Sequence, residues 1–248
     1  MIVSRQNERV KKVRALLQKK YRDEYGLYLV FGLKLVKEVI ALSLDIDCVL
    51  GTEDALNTLS LTEGDSLGFE VIAVTEQVYD SVTDEKSPQG VLAVVKKPSL
   101  SPKTPKNNCI FLDGVADPGN MGTIIRTAAA AGYTELYLAD CTDAYSPKCV
   151  RSSMGGLFRV NIYTGDRQSL IDIIDKPFII ASMEGDDVFN SVTPDKFCLV
   201  IGNEANGVSD TLRQVAKIKL SIPMENGVES LNAGVSAGIL MYALKNNI

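Results

Sequence analysis

The sequence predicts an α/β protein of two unequal domains, a small α/β module followed by a larger parallel sheet with helices on both faces. Three observations carry this expectation. Short runs of valine, isoleucine and leucine recur along the 248 residues and alternate with stretches of helical apolar spacing. In the second half those runs are almost continuously apolar, as expected of strands covered on both faces. Between them, KKPSLSPKTPKNN holds three prolines among polar and basic residues, and no apolar period survives there. Residues 98–107 are therefore read as a linker joining a domain over 1–97 to a domain over 108–248.

The first domain opens on an amphipathic helix from Asn7 to Lys20, with Val10, Val13, Leu16 and Leu17 on one face. YLVFG (28–32), DCVLG (47–51), EVIAV (70–74) and GVLAVV (90–95) read as strands of a mainly parallel or mixed sheet, with the helical pattern LKLVKEVIAL between the first two. After the linker, strands are expected at CIFLD (109–113), ELYLA (135–139), FRVNIY (158–163), FIIAS (178–182), FCLVIG (197–202) and IKLSI (218–222). Helices are expected from Gly122 to Ala131, closed by Gly132, from Gln168 to Ile174, and from Asn232 to Lys245.

Composition excludes several kinds of chemistry. No segment approaches the roughly 20 apolar residues of a membrane span, and MIVSRQNERVKK carries charge where a signal peptide would be apolar. A cytoplasmic protein without a membrane partner is expected. The five cysteines Cys48, Cys109, Cys141, Cys149 and Cys198 form no C-x-x-C pair, and the chain has no histidine, so they read as buried thiols in a reducing compartment and no metal site is expected. The missing histidine also removes Ser-His-Asp hydrolysis and imidazole acid–base catalysis. The net charge of −5 argues weakly against nucleic acid, yet Arg5, Arg9, Lys11, Lys12, Arg14, Lys19, Lys20 and Arg22 stand near the N-terminus against the single acid Glu8. Such a segment can neutralise phosphates whatever the global balance, or it can simply be a solvated helix face.

Three stretches carry the functional signal: DPGNMGTIIR (117–126), IGNEANG (201–207) and IPMENGVESLNA (222–233). Each sets glycine and asparagine next to an apolar run, which suits a main chain that approaches a small polar ligand closely. The first follows a strand and opens a helix, where free N–H groups accumulate. Its G-N-M-G spacing matches neither the dinucleotide fingerprint nor a phosphate loop. Arg126 is embedded among small and apolar residues and needs a phosphate or carboxylate partner, either a ligand or an ion pair within the fold. The second stretch could be an ordinary turn, and Ser230 or Asn232 an ordinary helix cap.

Together these stretches resemble the SpoU (TrmH-type) branch of the SPOUT RNA methyltransferases, through Asn120, Gly122 and Arg126, Gly202, Asn203, Glu204 and Gly207, and Ile222, Pro223, Ser230, Leu231 and Asn232. SSMGGLFR (152–159) accompanies them, and the resemblance runs from about residue 109 to the C-terminus. It implies a SPOUT-type parallel sheet whose C-terminal part is threaded into a trefoil knot, S-adenosyl-L-methionine as cofactor, and a homodimer through the C-terminal domain. It implies methylation of a ribose 2′-hydroxyl in structured RNA, with ribosomal RNA favoured over transfer RNA.

Carried over by position, the catalytic residues are Arg126, Asn120, Glu204, Ser230 and Asn232. The cofactor would be lined by Ser182, Met183, Ile201, Gly202, Asn203, Gly207, Ile222, Met224, Leu231, Asn232 and Ala233. Methyl transfer to a hydroxyl demands alignment and support for an oxygen losing its proton, a demand that an always-protonated guanidinium can meet without histidine. The first domain resembles the ribosomal-protein-like RNA-binding module fused to such enzymes, with SRQNERVKKVRAL and SPQGVLAVV (87–95) as its marks and Arg5, Arg9, Lys11, Lys12 and Arg14 as RNA contacts. It departs from that pattern at Phe31, where glutamate usually precedes Gly32. The competing readings are a catalytically silent RNA binder of the same fold and a nucleotide-dependent doubly wound enzyme, and calorimetry with S-adenosylmethionine, NAD and ATP discriminates them.

Overall fold

The computed structural model describes residues 1–64, 67–228 and 230–246, with side chains through Lys245; Glu229 of the third stretch lies outside the described residues. The chain divides into two compact units. The first comprises Met1–Ser99 together with Tyr145–Arg151, and the second comprises Leu100–Ala144 and the residues from Ser152 onward. The short segment Tyr145–Arg151 thus belongs with the N-terminal unit although it lies beyond the proline-rich stretch.

The first unit begins with α1 (Glu8–Ala15), capped by the Asn7 side chain, which accepts from the Arg9 N–H. The single helix expected over Asn7–Lys20 is instead two, because the chain turns before α2 (Lys19–Tyr25). Arg22 sits in that corner, 3% exposed, and its Nη1 donates to the carbonyls of Leu16 and Leu17 at 2.8 and 2.9 Å. These carbonyls close α1 and lack helical partners, so Arg22 serves the fold and leaves the exposed basic face.

There follow β1 (Leu27–Phe31), α3 (Leu33–Ala41), β2 (Ile46–Gly51), α4 (Glu53–Thr58), β3 (Glu70–Ala73), α5 (Glu76–Tyr79) and β4 (Val91–Lys96). The sheet order is β1-β4-β2-β3, with β4 antiparallel to both of its neighbours and β2 parallel to β3, so the sheet is mixed. Val10, Val13 and Leu16 of the first helix region share one core with Leu29, Leu50, Ile72 and Leu92.

After β4 the chain runs β5 (Cys109–Asp113), α6 (Pro118–Ala131), β6 (Glu135–Ala139), α7 (Pro147–Ser153), a 3-10 turn (Gly156–Arg159), β7 (Asn161–Thr164), α8 (Arg167–Ile173), β8 (Phe178–Asp187), β9 (Cys198–Gly202), α9 (Asp210–Val215), β10 (Ile218–Ser221) and α10 (Ala233–Asn246), all of the second unit except α7, which through Arg151 belongs with the first. All five strand pairings in the order β10-β8-β9-β5-β6-β7 are parallel. Phe111, Tyr137 and Val200 face a core completed by Leu170 of α8 and Leu212 of α9. Alternate strand residues such as Ile110 and Leu112 point the other way and are equally buried. The pair α6 and α10 is close-packed, since a Cβ on Gly234 would stand 3.0 Å from Thr123 Cγ2.

Several boundaries differ from expectation. The helix of the first stretch opens at Pro118 rather than Gly122, because the Asp117 side chain accepts from the Asn120 N–H at 2.8 Å and proline suits the first helical position. Phe158 and Arg159 belong to the 3-10 turn, so the strand starts only at Asn161. The short helices α4, α5, α7 and α9 have four to seven residues, too few to show a period. Four cysteines are buried, whereas Cys141 is half-buried. Burial pushes the Cys48 thiol up to about 12 and the Cys141 thiol up to about 11.

Candidate active site

The chain leaves β5 toward β6 and β7 on one side of the sheet, and returns to build β8, β9 and β10 on the other. The strand order therefore switches between β5 and β9, and ligands of open α/β sheets bind outside the carboxyl ends of strands at such a point. Asp113 and Gly202, the last residues of these two strands, are register partners. The first and second stretches thus leave the sheet side by side, and the third follows β10, with β8 in between.

Side chains tie the three stretches together. The Asn232 Nδ2 donates to Asn120 Oδ1 at 2.8 Å, and the Asn120 Nδ2 donates to Glu204 Oε1 at 3.0 Å. Glu204 also accepts from the N–H groups of Ala116 and Asp117 at 3.1 and 3.2 Å. Asn232 is at the same time the ordinary helix cap that its position suggests, its Oδ1 accepting from the N–H groups of Gly234 and Val235. Each amide therefore has its orientation fixed at both ends. Burial pushes the Glu204 carboxyl up, but the hydrogen bonds from Asn120, Ala116 and Asp117 outweigh it and hold the group below the usual carboxylate range.

The turn after β9 is a tight loop. Asn203 and Gly207 exchange two backbone hydrogen bonds of 2.9 Å, and Asn203 Nδ2 donates to the Gly114 carbonyl at 2.8 Å. Asp113, 2% exposed, accepts from the Ser209 N–H and from Arg167 Nε, each at 2.7 Å, and so anchors the far end of the same loop. That anchor was not legible as a site residue, although an aspartate ending a fully apolar strand was the available signal.

Around this loop opens a cavity of about 720 Å³. It is lined by Ser182, Met183, Ile201, Gly202, Asn203, Gly207, Ile222, Met224, Leu231, Asn232 and Ala233, and also by Asn120, Glu204 and Ser230. Every position assigned to the cofactor thus borders one space. Pro223 of the third stretch joins the wall as well, as do Ala181, Val208, Leu220, Val228 and Leu240, most of which directly neighbour the motif residues. The wall at β8 is a bulge: Ile180 pairs with Lys219 but Asp186 pairs with Leu220. The intervening residues bow outward, and Gly185 lets the chain rejoin the ladder, where a Cβ would stand 2.6 Å from the Leu220 backbone.

Arg126 does not border that cavity. Contrary to expectation it is exposed, and it makes no ion pair with the described residues. The reason is helical phase, since Thr123, Arg126 and Ala130 all lie on the exposed face of α6. Its backbone is nevertheless tightly set, because Gly156 of SSMGGLFR abuts it, and a Cβ there would stand 2.7 Å from the Arg126 Cα.

Of the basic residues assigned to RNA, Arg5 Nε donates to the Gln77 carbonyl, Arg9 pairs with Glu70 at 2.8 Å and Lys11 with Glu8 at 2.9 Å. Lys12 lies over the Tyr25 ring, and Arg14 is half-buried. Exposed ion pairs contribute only about 0–1 kcal/mol, so these cations remain exchangeable.

The cavity has the volume of a cofactor site, about 300–1,000 Å³, and its glycine backbone and aliphatic walls suit an adenosyl group. Residues 107–242 match the SpoU rRNA Methylase family, and residues 7–93 match the MRM3-like substrate binding domain. The 23S rRNA (guanosine(2553)-2′-O)-methyltransferase RlmP of Bacillus subtilis (strain 168) is 30% identical, covering 98% of each chain. The AdoMet-bound rRNA methyltransferase from Sinorhizobium meliloti superposes with a TM-score of 0.86 at 29% identity, covering 99% of this chain and 97% of that one. The SpoU methyltransferase AviRb from Streptomyces viridochromogenes, in complex with AdoMet, gives 0.83 at 26% identity, covering 97% and 98%. Fold and site together define a methyltransferase of the SPOUT class. The chain belongs to the SpoU rRNA methylase family and is an S-adenosylmethionine-dependent RNA 2′-O-methyltransferase.

Proposed function

We propose that this enzyme methylates a ribose 2′-hydroxyl of ribosomal RNA, with Arg126, Asn120, Glu204, Ser230 and Asn232 as its catalytic residues and the cavity beneath them as the cofactor site. The supporting observation is the Glu204–Asn120–Asn232 relay, which joins all three stretches at the mouth of one cavity. Gly202, Ile222 and Leu231 with their neighbours would hold S-adenosylmethionine, which would supply an activated methyl group. Arg126 would support the ribose oxygen as it takes the methyl group from the sulfonium, which leaves as a neutral thioether, and would orient a phosphate; a guanidinium cannot serve as the base, so the hydroxyl proton passes to solvent water. Glu204 and Asn232 fix the Asn120 amide, and Ser230 stands beside the ribose.

The first unit, joined by a linker over 98–107, binds the substrate. Its match to a substrate binding domain and the 23S rRNA specificity named for the Bacillus subtilis relative support ribosomal over transfer RNA. We further propose a cytoplasmic homodimer formed through the C-terminal domain, whose chain carries the trefoil knot. Exposed Met154, Val235 and Tyr242 and Arg126, which has no ion pair among the described residues, support the dimer, and no helix among the described residues is long and apolar enough to cross a membrane. Mapping of 2′-O-methyl sites in ribosomal RNA from cells with and without the protein is expected to show one site lost. Unchanged ribosomal RNA together with a lost transfer-RNA site would overturn the substrate assignment.

The pH profile follows from the same residues. With no histidine in the chain and Glu204 held below its ordinary range, methyl transfer is expected to show no inflection between about pH 6 and 8. The contribution of Glu204 to holding the site is complete above the normal carboxylate value and is lost as pH falls through its own lowered one. Single-turnover rates across buffers check this, and an inflection near neutrality would require a titrating group outside the site described.

A further inference from the structure

We propose that Tyr21 and Tyr25 form a stacking platform for an unpaired nucleobase of the substrate RNA, flanked by Lys12 and Lys20; this rests on the RNA-binding role of the first unit proposed above. The two tyrosines stand one helical turn apart on α2, with ring centroids 6.0 Å apart and planes inclined by 28°. Tyr25 is 41% exposed, far more than the core tyrosines Tyr28 and Tyr79 at 3% and 1%. Lys12 Nζ lies 5.8 Å from the Tyr25 centroid, and Lys20 Nζ lies 5.4 Å from the Tyr21 centroid.

The charge pattern separates this surface from the rest of the basic segment. Arg9, Lys11 and Lys19 are each engaged by a carboxylate, Glu70, Glu8 and Asp23 respectively. Lys97 pairs with Asp23 as well. Lys12 and Lys20 rest on tyrosine rings instead, so their charge is available to phosphate without breaking an ion pair with a described residue. Among the acids of α2 that leaves Glu24 without an ion pair to any described residue.

The platform is also rigid. Buried Arg22 pins the corner between α1 and α2 through the Leu16 and Leu17 carbonyls, and Gly26, at φ 63°, ends α2 directly after Tyr25. A preordered aromatic pair beside ammonium groups that no carboxylate of the described residues engages fits single-stranded loops, where bases are free to stack and phosphates to pair. A paired stem offers no such base.

Binding of the full chain to a labelled RNA hairpin with an unpaired loop, and to a fully paired duplex of the same stem, tests the assignment. Tyr21→Leu and Tyr25→Leu are each expected to weaken hairpin binding about 5- to 100-fold and leave duplex binding unchanged. Tyr25→Phe keeps the ring and should bind as the native protein does. Lys12→Gln is expected to lower the salt slope of hairpin binding by about one. Because the chain has nine tyrosines and no tryptophan, stacking should also quench its intrinsic tyrosine fluorescence, less so in Tyr25→Leu. Leucine variants that bind the hairpin like the native protein, or that lose hairpin and duplex equally, overturn the platform and leave the RNA reading intact. A native protein that binds neither RNA overturns both.

Discussion

An Arg126→Ala protein is expected to bind S-adenosylmethionine as tightly as the native enzyme and to methylate RNA about 10²- to 10³-fold more slowly, the loss typical of removing one group that supports a developing oxyanion. The separation follows from position. Arg126 lies outside the cavity that collects every cofactor position, on the exposed face of α6, where its removal opens no core. Calorimetry with the cofactor and single-turnover methyl transfer measure the two properties independently. Arg126→Lys keeps the charge but not the planar fork and should recover only part of the rate. Loss of cofactor affinity in parallel with rate would instead place the guanidinium in the cofactor site, and a native rate in the alanine protein would remove it from catalysis.

How much of this site could be read in advance differs residue by residue. Asn120, Gly202, Asn203, Gly207 and Asn232 were legible because glycine and asparagine cluster beside apolar strands in all three stretches, and these five border the cavity. Arg126 was half legible. Its residue type marked it out, but small residues on all sides suggested burial, and only the helical phase set by the Asp117 cap shows that it points outward. The β8 bulge was not legible at all, since Met183, Glu184 and Gly185 carry no period and the bulge exists only relative to the register of β10.

In the first unit, composition exposed the basic character but not its division of labour. Arg22 looks like its neighbours in sequence and yet is buried, because two carbonyls at a helix break need a donor. The break itself was hidden, since Leu16 and Leu17 continue the apolar spacing of α1 up to the residue where the chain turns. The parallel sheet of the second unit was predicted from near-continuous apolar strands; that β4 runs antiparallel in the first was left open, because periodicity does not encode strand direction.

Gly202→Ala is expected to lower cofactor affinity at least about tenfold and to cost about 1–3 kcal/mol of stability, as overpacking a close contact does. Backbone conformation is not the cause, for Gly202 does not occupy the left-handed region. The cause is space: a Cβ at Gly202 would stand 2.3 Å from the Gly207 carbonyl carbon and 2.5 Å from Val208 N. The Asn203–Gly207 loop would have to move, and it carries Glu204, so displacement would loosen the bonds to Asn120, Ala116 and Asp117 and with them the relay to Asn232. Gly207→Ala makes the opposite comparison. Gly207 lies at φ 67° but has room, its Cβ meeting only the end of the Arg213 side chain at 3.3 Å, so its cost is conformational, about 1–2 kcal/mol, with the loop left in place. Thermal melts alone would barely distinguish the two proteins. Calorimetry with S-adenosylmethionine should, because only the change at Gly202 pushes the loop off the cavity; a Gly207→Ala protein that loses more cofactor affinity than Gly202→Ala would mean that the close approach at Gly202 does not shape the site.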